Sequence, residues 1–66
     1  MDKSLRTLRA EIAEQLSFIN HKPYSHNIIG IILQQIASRF GIEEANQVIE
    51  DYNLEYFGWR KVTTNE

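Results

Sequence analysis

There is no cysteine in the 66 residues, which rules out disulfides and thiolate zinc sites. Proline occurs once, at Pro23, and glycine three times, at Gly30, Gly41 and Gly58, so few positions force the chain out of regular structure. The longest apolar run, Ile28 to Leu33, is far below the roughly 18 residues of a membrane span. Neither sign of charge dominates: seven Lys and Arg against nine Asp and Glu leave a formal charge of −2 and a pI near 5.6. That balance speaks against a general nucleic-acid binder, whose footprint is usually basic. The opening MDKSLRTLRAEIAEQ shows no apolar stretch of the kind a secretory leader carries. A soluble, cytoplasmic protein is therefore expected, and the missing cysteines fit a reducing compartment.

What is present is ordinary globular material, 42% hydrophobic and 24% charged, with a mean hydropathy of −0.40. A chain this short buries only about 60% of the surface its unfolded form exposes. Its core is marginal unless something supports it. Disulfides are excluded, so association is the support that remains open.

Periodicity points to an all-α fold: one domain over 1–62, with three helices near 3–19, 26–40 and 43–52, and a frayed end over 63–66. In the first helix Leu5, Leu8, Ile12, Leu16 and Ile19 repeat at the spacing of a packing seam. Asp2 is its expected N-cap and i, i+4 partner of Arg6; Phe18 lies off the seam. In the connector NHKPY, Pro23 restricts Lys22 to extended conformations and so ends the first helix by that point. Ser25 is then the expected N-cap of the second helix, with Tyr24 stapling onto Ile29. Gly41 ends that helix, and Arg39 complements its dipole. The third helix starts with Glu43 and Glu44 in its first turn, buries Ala45, Val48, Ile49 and Tyr52, and stops at Asn53 in the left-handed conformation. LEYFGWRKV should then turn back, returning Leu54, Phe57 and Trp59 to the core.

The second helix, SHNIIGIILQQIASRFG, is the most informative segment. Its apolar residues spread over about half the circumference, wider than the roughly 100° stripe of an ordinary surface helix. Ile28, Ile32, Leu33, Ile36 and Phe40 are expected at the centre of the fold. Ile31 points away even from that broad arc. Gly30 and Ala37, seven apart, form a bare strip where another helix could approach. Phe18, Ile28, Gly30, Ile31 and Ala37 thus make up the expected association surface, and a two-fold dimer is its simplest form.

Four other features invite a functional reading. Ala37 and Gly41 stand four apart and resemble the alanine and turn glycine of a helix-turn-helix. In that register, however, Gln47 falls where an apolar residue belongs, and the recognition helix would carry Glu43, Glu44, Glu50 and Asp51 toward phosphates. His21 and His26 bracket Pro23, but no third or fourth metal ligand adjoins them, so they read as surface or capping residues. Tyr56, Phe57, Trp59, Arg60 and Lys61 combine aromatics with positive charge, the residue types of protein-interface hot spots and of base-stacking sites. Finally, Ser4, Ser17, Ser25 and Ser38 have no histidine and acid at recognisable triad positions, and Glu11 and Glu14 lie together on an exposed face. No enzyme, cofactor or metal is expected. The expected function is a small interaction module, homodimeric, that binds another protein. The competing expectation is a dimeric nucleic-acid-binding regulator using Lys3, Arg6, Arg9, Arg60 and Lys61.

Overall fold

The computed structural model describes residues 3–61, an all-helical chain with no strand among the described residues. Helix α1 spans Leu5–Leu16, α2 Ser25–Phe40 and α3 Ile42–Asp51, followed by a single 3₁₀ turn at Leu54–Phe57. Asp2, Val62 and the end expected to fray, 63–66, lie outside the described residues.

Ser4 caps α1. Its backbone is extended, and its hydroxyl oxygen accepts the Thr7 N–H at 3.1 Å, satisfying a donor that the helix cannot. The helix stops at Leu16, not at Ile19. Its last turn tightens through i, i+3 bonds from the N–H groups of Ser17, Phe18 and Ile19, and the Ser17 hydroxyl donates to the Glu14 carbonyl at 2.6 Å. The orphan carbonyls are satisfied well before Pro23 acts.

The start of α2 corrects a second expectation. The Ser25 N–H bonds to the Lys22 carbonyl and the Ile28 N–H to the Tyr24 carbonyl, so Tyr24 takes the cap position and Ser25 is the first helical residue. With the register moved by one, Tyr24 is no longer placed to staple onto Ile29; it stays 54% exposed. The Ser25 hydroxyl is fully buried, with no hydrogen-bond partner among the described residues.

Gly41 alone joins α2 to α3, at φ 107°, a region that side-chain-bearing residues rarely enter. This link is shorter than the three- or four-residue turn of a helix-turn-helix. Helix α3 begins at Ile42, one residue earlier than expected, with Glu43 and Glu44 in its first turn. Asn53 is left-handed, at φ 56°, and turns the chain into the 3₁₀ segment.

The buried core takes Leu8 and Ile12 from α1, Ile29, Ile32, Leu33 and Ile36 from α2, Ala45, Val48 and Ile49 from α3, and Leu54. Helix α2 packs against both α1 and α3. Leu5, Leu16, Ile19, Ile28, Ala37, Tyr52, Phe57 and Trp59 are partly buried around this cluster. Phe40, expected at its centre, is instead 37% exposed. It is the last residue of α2, and the Arg39 guanidinium lies 4.9 Å from its ring centroid. The molecule measures 38 × 30 × 17 Å. Its thinnest dimension therefore holds no more than two layers of helices about 10 Å across.

Candidate functional site

Two surfaces gather the residues singled out from the sequence. The first is the side of α2 turned away from α1 and α3. Ile31 is 56% exposed there. A shallow groove open to solvent runs beside it, lined by Gln34, Gln35, Ser38 and Arg39. Tyr24, Ile28, Ile31, Gln35 and Ser38 follow one another at intervals of 4, 3, 4 and 3 residues, the average of 3.5 that lines up a helix-packing seam. Ile28 is partly buried and the other four are exposed. With their exposed flanks Asn27 and Gln34, these side chains carry no charge, whereas a quarter of the whole sequence, 24%, is charged. The nearest charged group along the helix, Arg39, donates to the Lys3 carbonyl.

The remaining residues of the expected association surface do not share this side. Phe18 is partly buried in the α1–α2 connector, with the Lys22 ammonium 4.6 Å from its ring centroid. Ala37 packs against the core. At Gly30 the open side faces Trp59: a methyl group added there would meet the indole Nε1 at 3.7 Å. The strip at Gly30 therefore receives a side chain from the same chain.

That indole belongs to the second surface, the C-terminal segment. Here Gly58, at φ 115°, bends the chain so that Phe57 and Trp59 both turn inward onto the core. Trp59 stacks on His26, with ring centroids 4.0 Å apart and planes 17° from parallel. The His26 Nε2 sits 3.1 Å from the Phe57 carbonyl oxygen. A carbonyl only accepts, so the imidazole proton in this contact is on Nε2. His26 thus fastens the segment to the first turn of α2. Tyr56 points the other way, 79% exposed, with its ring edge-on to Phe57. Arg60 and Lys61 are exposed beside it, along an open depression shared with Glu55, Gly58 and Trp59.

Most basic side chains are engaged within the molecule. Lys3 pairs with Glu11 at 2.6 Å, Arg9 with Asp51 at 2.5 Å and Lys61 with Glu50 at 3.3 Å. The Arg9 guanidinium also lies 5.5 Å from the Tyr52 ring centroid. Asp51 accepts from both Arg9 and Gln47. These bonds, the one from Arg9 foremost, hold its carboxyl below the usual range, and the same pair raises the Arg9 pKa. Of the five residues a nucleic-acid reading would use, three are therefore already paired with acids.

His21 is exposed, with no ring contact among the described residues, while His26 is committed to Trp59 and Phe57. Among the described residues, no three His, Asp or Glu side chains converge as a metal-holding group. No described helix is long and apolar enough to cross a membrane. Comparison with protein-family models, curated proteins and solved structures found no match to this chain.

Sequence reasoning picked out Ile31 but missed Tyr24, Gln35 and Ser38. By spacing alone Tyr24 reads as a staple onto Ile29, and Gln35 and Ser38 are polar. The 3.5-residue spacing was visible, but a broad apolar arc conceals two overlapping seams on one helix.

Proposed function

We propose that this chain is a small non-enzymatic helical module that works by binding protein, first of all a second copy of itself. One observation carries the reading: large apolar side chains remain on the surface at Tyr24, Ile31 and Tyr56, each more than half exposed. Single exposed apolar residues are normal. Here, however, two of the three share one side of α2, on a seam whose own residues are uncharged. Both grooves beside them are shallow and open, a shape that suits a protein surface better than an enclosed small molecule.

The nucleic-acid reading draws less support. Phosphates would have to displace Glu11, Asp51 and Glu50 from Lys3, Arg9 and Lys61, leaving Arg6 and Arg60 as the two of that reading's five cations without an ion pair among the described residues. Light scattering across on the order of 1 to 500 μM, the range in which small interfaces associate, tests the module reading. A mass rising from monomer toward dimer supports it. A monomer mass throughout, with full helical content, contradicts it. Binding of short DNA or RNA that weakens steeply with added salt would move the assignment to the nucleic-acid class.

A further inference from the structure

We infer that residues 54–61 are a strap that melts away from the three helices while these stay folded, with His26 as the latch that holds it closed. Such opening belongs to a single chain and does not depend on the self-association proposed above.

Three observations carry it. The first is that the strap's backbone hydrogen bonds are its own. The Trp59 N–H bonds to the Leu54 carbonyl and the Gly58 N–H to the Glu55 carbonyl, both at 3.2 Å. With Gly58 at φ 115°, this is the paired closure of a Schellman turn, and Leu54 and Trp59 fill the two apolar positions that accompany it. The Tyr56 N–H goes to the Asn53 carbonyl, and the Asn53 N–H reaches back to Glu50 at the end of α3. Melting 54–61 therefore breaks no hydrogen bond inside a helix. A single turn does not hold by itself in water, so the turn and its docking are lost together.

The second is the shallow hold. Of the buried core, only Leu54 comes from the strap; the rest sits on α1, α2 and α3. Phe57 and Trp59 are partly buried, and the other five strap residues are exposed. Segments with few buried apolar contacts lie at the low-stability end of a fold.

The third is the single latch. Among the described residues one hydrogen bond joins α2 to the strap, from His26 Nε2 to the Phe57 carbonyl at 3.1 Å, and the same ring stacks on Trp59 at 4.0 Å. Lys61 adds a pair with Glu50 of α3 at 3.3 Å, exposed and therefore weak. Closed, the strap shows Tyr56 to solvent and keeps Trp59 against Gly30. Open, it adds Phe57 and Trp59 to the surface and bares Gly30. The latch thus sets how much aromatic surface the molecule offers.

Trp59 is the one tryptophan, so its fluorescence follows the strap while circular dichroism follows the helices. In urea the wild-type fluorescence transition should come at a lower midpoint than the loss of helix. Coincident transitions would mark one cooperative unit and overturn the strap. Native-state amide exchange then tests the latch. The amides of Tyr56, Gly58 and Trp59 should exchange about tenfold faster in His26→Ala than in wild type, the loss of one hydrogen bond and one ring stack. Those of Ile32 and Ile36 should not change. Acceleration of both sets alike, or of neither, would overturn the latch. Loss of the helix signal in His26→Ala would overturn it too, because the helices are held to stand without it.

Discussion

Both sides of α2 carry isoleucine, in opposite surroundings. Inward, Ile29, Ile32, Leu33 and Ile36 belong to the core that α2 shares with α1 and α3 and are almost entirely shielded from water. Outward, Ile28 is partly buried against the edge of the core and Ile31 is more than half exposed. Isoleucine composition alone does not say which side a residue serves. Position around the helix does, and the contrast predicts opposite responses to the same substitution.

The largest effect is expected inside. Ile36→Ala removes a fully buried side chain and should cost about 2–5 kcal/mol, enough to unfold much of so small a domain. Ile31→Ala should change the stability of the isolated protomer by no more than about 0.5 kcal/mol. Urea titrations in dilute solution compare the two, and equal losses would erase the distinction between the sides.

The entry to α2 gives the next test. A Ser25 acting as N-cap would lose about 1 kcal/mol on conversion to alanine. In this structure its hydroxyl is buried with no hydrogen-bond partner among the described residues, a situation that costs about 1–3 kcal/mol. Ser25→Ala is therefore expected to stabilise, by about 1 kcal/mol, and the sign of the shift in urea midpoint separates the two placements.

Gly30 sharpens the boundary between the sides. It lies in the helix, and an added methyl would meet Trp59 at an ordinary contact distance of 3.7 Å. Gly30→Ala should raise stability by about 0.5–1 kcal/mol through propensity and a less disordered unfolded chain. Destabilisation would mean that the indole sits closer to α2 than described.

The smallest effect concerns the pair that ties α1 to the end of α3. Asp51 has its pKa lowered chiefly by Arg9 and then by Gln47. Its contribution is present above the unfolded carboxylate value, about 4, and is lost as pH falls through the lower folded value. Partial exposure of both partners keeps it small. Urea midpoints measured from neutral pH down through the carboxylate range should fall less in Asp51→Asn than in wild type; parallel curves would leave the pair without a role.

Much of this architecture was legible because it follows from local chemistry. Leu8, Ile12, Val48 and Ile49 lie on stripes that only a helix aligns. Asn53 tolerates the left-handed conformation, and Gly58 permits the bend that sends Phe57 and Trp59 inward. The misreadings fall where several groups compete for one task. Asp2 and Ser4 both suit a cap, and it is the Ser4 hydroxyl that reaches the Thr7 N–H. Ser25 and Tyr24 compete likewise, decided by the Lys22 carbonyl drawing the Ser25 N–H. Gly30 looked like a helix-contact strip because nothing local shows that Trp59, twenty-nine residues later in the chain, comes to rest there. Pairings such as Arg9 with Asp51 and His26 with Trp59 are non-local and have no signature in spacing.

Thermal unfolding followed at increasing protein concentration tests most directly whether the apolar side chains left exposed, Ile31 among them, join two copies. A contact made only in the folded state raises the midpoint by mass action. The wild-type midpoint should climb with concentration while that of Ile31→Glu stays flat. Midpoints that are flat in both proteins, or that climb in parallel, would contradict the account.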